Sequence, residues 1–542
     1  MKSRMYRIVP ALLLTALALA VFAACAPSET VGDAVPEIEV LTTTEAYDPI
    51  RYEAAFMIAE AWEELGFEVN VRPLEFSSLL QLFYDEQNFD ATILGWSGRV
   101  DRLDPQHFLG TLHGGQTDLG ANNPGGYSNP DYDALFEAQS REFNADRRRE
   151  LVLEMQEIAA RDQPLDVLFY RDEVVGYNAN TFDNYVIMAG ESLYNEWTPL
   201  QVQPLDGSRY LTIGTPQEPD NINPMASTSV WGWKFMRMYY DKLVRLSPDI
   251  EPIPWAAEEI IDVDETTIDV VIRSGMTFHD GEPVTPSDVK FTFDYMVEKD
   301  FAYFRPFYSI IDSTELRDGN IVRFNLREPY APFITVTLSQ IPILPEHLWA
   351  SIDAPADLTP DQIPTVGSGP FYFDQYDRGE YKRLLTFRDH FAADDIAIDG
   401  MEYIVYADSE GVFTGLLTGE IDMTAWRMEP GQITIAEDED HITVVSVGDF
   451  GYYHLTYNNR RAPFDNTQVR RALAHAVDKE TIINVLLQGL GEPGYSVVAP
   501  INGFWHNPDV ERFDYDLSAA RSVLEEAGFV WDGDGRIHFP AQ

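Results

Sequence analysis

The stretch Ile272-Arg273-Ser274-Gly275-Met276-Thr277-Phe278-His279-Asp280-Gly281-Glu282-Pro283-Val284-Thr285-Pro286-Ser287-Asp288-Val289 decides how this chain is read. Before it, Ile268 to Ile272 alternates like a half-buried strand; after it, Ser287 to Val297 reads as a helix. Further out, Ile321 to Leu326 alternates in the same way, and Leu211-Thr212-Ile213 is a strand running into the loop Gly214 to Met225. Val469 to Leu487 reads as a helix, and so does Leu517 to Ala527, which Gly528 stops. Residues before 170 have a different texture. Ile38 to Thr42, Phe67 to Val71 and Ala91 to Trp96 read as strands, with helices over Tyr52 to Leu65 and Ser77 to Tyr84. This βαβαβ order predicts a parallel sheet covered by helices. Helices follow over Asp131 to Ser140 and Asn144 to Ala160, then a strand over Leu165 to Tyr170. Residues 196–210, with Trp197, Pro199, Pro204 and Gly207, read as a linker.

Composition narrows the function. The 542 residues carry 89 acidic and 38 basic side chains, a net charge of −51. Nothing in that balance neutralises a run of phosphates, so the charge argues against a nucleic-acid partner. An apolar content of 45% supplies two large lobes or about three domains. Lysine accounts for only seven of the basic residues. A Lys-poor, acidic surface stays soluble when salt screens repulsion, which fits a salt-adapted source and equally an ordinary acidic protein outside the cytoplasm.

The single cysteine excludes an internal disulfide framework. It stands where a basic head (Lys2, Arg4, Arg7) and an apolar run from Val9 to Ala24 end, in Phe22-Ala23-Ala24-Cys25. The pattern is that of a secretory signal, residues 1–25, closing on a bacterial lipobox, with Phe22 in place of the usual Leu. Cys25 is therefore the expected lipidation site, followed by a polar tether over 26–36.

Catalytic constellations are missing from the sequence: there is no GxSxG elbow, HExxH, Walker loop or GxGxxG opening a helix. His107 and His113 lie six apart in a Gly-rich stretch and read as solvated loop residues, and Asp532-Gly533-Asp534-Gly535 reads as a polar turn without the Glu that closes a calcium loop. No metal and no cofactor is expected. The aromatics point to ligand binding instead. Trp96, Trp231, Trp233, Trp426, Tyr452 and Tyr453 sit at strand ends or among small polar residues, the setting of a wet concave site.

The opening stretch, within Trp255 to Met296, resembles the signature of the extracellular solute-binding proteins of family 5, the oligopeptide, dipeptide and nickel binders of ABC importers. Other blocks agree: Glu218-Pro219-Asp220-Asn221-Ile222-Asn223-Pro224, Val366-Gly367-Ser368-Gly369-Pro370-Phe371-Tyr372, Leu416 to Asp422, Val469-Arg470-Arg471-Ala472-Leu473-Ala474, Gly95-Trp96-Ser97-Gly98 and Gly126-Tyr127-Ser128-Asn129-Pro130-Asp131-Tyr132-Asp133. Their order is inverted. Blocks at 36–205, which close the family's chains, here precede those at 209–542. Placing Gln542 before Pro36 restores the family's order, so the chain resembles a circular permutant whose original ends are joined through Pro204-Leu205-Asp206-Gly207-Ser208; a fusion of truncated neighbouring genes or an assembly artefact would give the same order.

The resemblance implies an α/β, two-lobed periplasmic-binding-protein fold, hinged and class-C-like, with an accessory domain and segments in permuted order. The second lobe would combine 37–170 with 456–542, the first lobe 171–250 with 366–455, and the accessory domain would span 251–365. The implied role is an extracytoplasmic, lipid-anchored, monomeric binder. It would capture peptides or similar small polar solutes and deliver them to an ABC importer permease. A ligand-sensing subunit of a membrane receptor and an anchored secreted hydrolase are the alternatives. Family peptide binders hold a ligand ammonium with an Asp shortly after the Trp96 block; here that place is Arg99, followed by Asp101 and Asp104. The expected ligand-binding residues are Trp96, Ser97, Arg99, Asp101, Ser227, Thr228, Trp231, Trp426 and Tyr452.

Overall fold

The computed structural model describes residues 32–98, 102–216, 219, 221–227, 230–301 and 303–541. Its main sheet has two halves that share one long strand, Leu165–Asn178. Residues 165–169 pair antiparallel with Tyr452–Tyr457, and residues 172–178 pair antiparallel with Ile442–Gly448. Fourteen residues suffice for both, because a strand advances about 3.3 Å per residue. The first half continues from Tyr452–Tyr457 through Ala91–Trp96 and Ile38–Thr43 to Val69–Leu74. The second half runs through Met423–Thr424, Tyr210–Thr215 and Gly400–Val405 to the hairpin Tyr381–Thr386 and Phe371–Asp377.

The expected parallel sheet exists over residues 38–96, where the three strands pair in parallel. Beyond them the sheet is mixed, because Tyr452–Tyr457 enters from the other half and runs antiparallel to both of its neighbours. Among the described residues the chain passes between the halves twice, inside Leu165–Asn178 and through Asp449, Phe450 and Gly451. The Asp449 amide donates to the Arg171 carbonyl at 3.2 Å, so the crossings lie side by side. Gly451 is required by space: a Cβ there would lie 1.9 Å from the Trp96 carbonyl oxygen. The boundary expected at residue 455 falls inside the strand Tyr452–Tyr457, which is a member of the first half.

Within 251–365 a separate four-stranded antiparallel sheet runs Ala257–Asp264, Thr267–Ile272, Ile321–Leu326, Ile311–Arg317. The 272–289 stretch leaves this sheet and starts the helix Pro286–Lys299. Its start follows from local chemistry. Pro286 pre-sets the first helical turn, and Asp288 accepts from both the amide (2.9 Å) and hydroxyl (2.7 Å) of Thr285. The helix Pro49–Glu64 is built alike: Asp48 accepts from the Ile50 and Arg51 amides, and Ala54, Ala55, Ile58 and Trp62 bury one face. Two large apolar clusters follow the division of the sheet, one under the 38–96 half and one spanning the other half with the 251–365 sheet.

Three local expectations differ. The helix expected over Val469 to Leu487 is two, Thr467–His475 and Lys479–Leu486, because Asp478 caps the second by accepting from the Thr481 amide. Residues 196–210 are not a free linker. Thr198–Gln201 is helical, Gln203–Pro204 pairs with Phe182–Asp183, and Glu196 is buried against Lys242 at 2.8 Å. His107 is not a loop residue; it lies half-buried in the short helix Gln106–Gly110, edge-on to Trp96 with centroids 5.4 Å apart.

The described ends of the chain meet. The Val35 amide donates to Ile537 at 3.0 Å, the Phe539 amide to Asp33 at 2.9 Å, and Ala34 faces His538 in an antiparallel bridge. No helix of the described residues is long and apolar enough to cross a membrane.

Candidate functional site

A cavity of about 240 Å³ opens where the two halves of the sheet face each other across the crossings. The first half contributes Ser97 and Gly98, just past the end of Ala91–Trp96. The shared strand contributes Glu173 and Val175, and the second crossing contributes Asp449. The second half supplies Trp231 and Lys234 from the helix Val230–Met236, and Trp426 and Arg427 just past Met423–Thr424.

The aromatic side is continuous. Tyr194 stacks on Trp231 with centroids 6.2 Å apart, and Trp231 meets Trp426 at 5.6 Å. Two cations lie against this row. Lys234 Nζ is 5.4 Å from the Tyr194 ring and 5.8 Å from the Trp231 ring, and the Arg427 guanidinium lies 5.1 Å from the Trp426 ring. Such placement holds a cation over an aromatic face while leaving donors for a ligand.

Carboxylates face the cations. Glu191 pairs with Lys234 at 3.3 Å and with Arg237. Burial pushes its carboxyl upward, but the two cations outweigh burial and hold it below its ordinary value. Behind it, Glu196 is drawn down to about 2: Lys242, Arg245 and Arg237 overcome its burial. The crossing carries the opposite case. Burial and the neighbouring Glu173 raise Asp449 to about 7, against the amides of Gly451 and Gly98 that donate to it. Gly98 has no room for a side chain, since a Cβ would fall 1.7 Å from Asp449 Oδ1. Glu173 reaches Arg427 at 3.6 Å. The cavity thus offers both signs of charge beside a wall of rings. It suits a solute with charged ends and an apolar body.

The structure brings together Ser97, Trp231 and Trp426 from the expected set. Trp96 points elsewhere, stacking against His454 at 6.4 Å with Arg102 over its face at 4.8 Å. Tyr452 is 1% exposed and packs on Phe108 at 5.1 Å, inside the first half. Ser227 is 1% exposed, its carbonyl accepting from Trp233 Nε1 at 3.3 Å. Arg99, Asp101, Thr228 and Cys25 lie outside the described residues. Among the described residues no group of three or more His, Cys, Asp or Glu side chains is arranged to hold a metal.

Sequence reasoning missed Glu173, Glu191, Lys234, Arg427 and Asp449. Two signals were present. A lysine between aromatics is conspicuous in a chain with seven lysines, and Arg427 directly follows Trp426. For Glu173, Glu191 and Asp449 there was no signal, because 89 acidic residues hide three.

The oligopeptide-binding protein AppA of Bacillus subtilis (strain 168) is 29% identical over 334 residues, 60% of this chain and 60% of that one. The dipeptide-binding protein of Escherichia coli (strain K12) is 26% identical over 334 residues, 57% of this chain and 62% of that one. The chain thus spans about three fifths of the length of the curated relatives it matches. Among solved structures, a putative peptide binding protein AppA from Clostridium difficile superposes with a TM-score of 0.50 at 20% identity, over 60% of this chain and 66% of that one, and shares the fold. The profile of the middle region of family 5 matches residues 251–541, more than half of the chain, so this protein belongs to the bacterial extracellular solute-binding proteins, family 5.

Proposed function

We propose that the chain captures peptides or similar small polar solutes between two lobes outside the cytoplasm and delivers them to an ABC importer permease. The carrying observation is the cavity itself. It lies between two half-sheets joined by two adjacent crossings, the construction that allows hinged closure, and it combines both charges with a row of rings. The relatives named for oligopeptides and dipeptides support peptides as the solute class. Ser97, Trp231 and Trp426 then touch the solute, with Lys234 and Arg427 meeting its anionic groups and Asp449 with Glu173 its cationic ones. Trp96, Tyr452 and Ser227 act by packing beneath the cavity walls. Arg99, Asp101 and Thr228 are proposed as further solute-binding residues.

We further infer a monomer anchored to the membrane by lipid at Cys25, with the tether 26–36 leading into the lobe that holds both ends. The meeting of residues 33–35 with 537–539 supports a circular permutation, since a permuted chain needs new ends where the older chain was continuous. One lobe would comprise 37–170 and 456–542 extended to Tyr452, the other 171–250 and 366–448, with 251–365 as its accessory domain.

Native against denaturing mass spectrometry of protein purified from rich medium tests the function. A released set of short peptides is the expected result. A protein that carries no small molecule and gains no thermal stability from a peptide mixture would refute it.

A further inference from the structure

A series of charged pairs runs back from the cavity wall into the protein. Glu191 meets Lys234 at 3.3 Å and, deeper, Arg237. Arg237 lies one helical turn after Lys234, its amide donating to the Trp233 carbonyl at 3.0 Å, so the two cations share one helix face. Arg237 also feels the charge of Glu196, which pairs with Lys242 at 2.8 Å and approaches Arg245 at 3.8 Å. Arg245 in turn lies near Asp241, whose Oδ1 accepts from Trp255 Nε1 at 2.7 Å and whose Oδ2 faces His390 at 3.3 Å. Apart from His390, the series holds four cations, Lys234, Arg237, Lys242 and Arg245, against three carboxylates, Glu191, Glu196 and Asp241. All of these seven come from residues 191–245, so their layout does not depend on how the two halves of the sheet are set against each other. Of the seven, Glu191 and Lys234 line the cavity, and Arg237 does not.

We propose that Arg237, from behind the cavity wall, makes the Tyr194–Trp231 end of the cavity select solutes that carry an anionic group there. The inference rests on the solute-binding function proposed above and deepens it, by naming the group the solute carries and the residue that decides it. The argument is one of charge balance. Lys242 and Arg245 answer Glu196 and Asp241. That leaves Glu191 between Lys234 and Arg237, and one carboxylate neutralises one of them. Arg237 is enclosed and finds its counter-charge in Glu191 and Glu196. Lys234 opens on the cavity, so the surplus positive charge is presented at its ammonium, beside the Tyr194 and Trp231 rings. The other cation of the wall, Arg427, is already answered by Glu173 at 3.6 Å. Without Arg237, Glu191 would neutralise Lys234, and this end of the cavity would no longer attract an anion. Arg237 is thus a positioning residue, acting through Glu191 and Lys234 rather than by touching the solute. Its loss should lower the preference for an anionic over a neutral end roughly tenfold, the factor a unit charge exerts across about 10 Å at an effective dielectric constant of about 20.

The probe is an equimolar library of dipeptides and tripeptides with free C-termini, mixed with the same library as C-terminal amides. Full-length protein, dialysed free of carried solute, is offered the mixture at neutral pH and low salt, and native mass spectrometry reads the ratio of free acid to amide bound. A loss of stability alone does not move that ratio. The parent is expected to favour the free acids and Arg237→Met to lose the preference. Arg237→Lys restores the charge and should keep it. Glu191→Gln should strengthen it, because Lys234 and Arg237 then share no carboxylate. An even ratio in the parent, or an unmoved ratio in folded Arg237→Met, would overturn the inference. Should Arg237→Met fail to fold, Glu191→Gln decides alone, and a ratio that falls or stays is the overturning result. A parent that binds both forms evenly leaves the peptide-binding function standing and removes only this inference; a parent that binds neither removes both.

Discussion

Replacing Glu191 by Gln tests whether the cavity charges work as a set. The Glu191 side chain is 2% exposed and serves Lys234 and Arg237 together. Removing one member of a buried pair costs about 3–5 kcal/mol, because the partner stays buried without its counter-charge. The lower end, about 3 kcal/mol, applies here. Lys234 is 15% exposed towards the cavity, and Arg237 keeps Glu196 as a charged neighbour. At about 2–4 °C per kcal/mol for domains of this size, the thermal midpoint at pH 7 should fall by about 6–12 °C. The acid limb sharpens the test. Glu191 titrates lower in the folded protein than in the unfolded chain, where a glutamate has a pKa of about 4.3. Its contribution is therefore present above about pH 4.3 and lost as pH falls through the folded value. Parent and Glu191→Gln should converge in acid and separate above it. The assay is differential scanning calorimetry across pH. A loss below about 1 kcal/mol at pH 7, or a difference that persists in acid, would refute the pairing as the source of the effect.

Other outcomes follow from the same geometry. Trp426→Ala should weaken solute binding by roughly tenfold or more, by removing a ring and the face under Arg427; titration of a co-purified solute by calorimetry checks it. Asp449→Asn should flatten the pH dependence of stability. The folded carboxyl titrates near 7, above its unfolded value of about 3.9, so the parent is favoured below about pH 4 and loses ground to the variant as pH rises to about 7. Midpoints measured at pH 4, 6 and 8 decide this, and parallel curves would sink it. Lys479→Met should cost about 3–5 kcal/mol in urea unfolding, because Lys479 Nζ holds buried Asp166 at 2.7 Å and the carbonyls of Val167 and Gly494. Raising salt from tens of millimolar to molar should stabilise a chain of net charge −51, and an unchanged thermal midpoint would count against salt adaptation.

Much of the fold was legible because its causes are local. Asp48-Pro49 and Thr285-Pro286-Ser287-Asp288 start helices through caps that act within one turn. The alternation at 321–326 marks a strand with one face buried. The order of the blocks, read against the family's, led to the expectation that both ends of the chain lie in one lobe, and residues 33–35 and 537–539 meet in the structure. What the sequence left open was long-range. Helical spacing over 469–487 did not reveal that Asp478 would cap a second helix rather than ride on one. The strand at 165–170 gave no sign that it would extend to Asn178 and join two half-sheets, a role that depends on Ile442–Gly448 and Tyr452–Tyr457 lying on successive parts of it. The site was the least legible part. Trp96, Trp231 and Trp426 are alike in composition and local setting, yet only two of these rings face the cavity, because the strand-end geometry turns Trp96 towards His107 and His454. Sequence alone determined the family, the helices with their caps and the charge of the surface, all properties of neighbouring residues or of totals. Tertiary structure alone decided which few charges meet across the crossing, because Glu173, Lys234, Arg427 and Asp449 come from separate elements and acquire a shared environment only when the two halves close on each other.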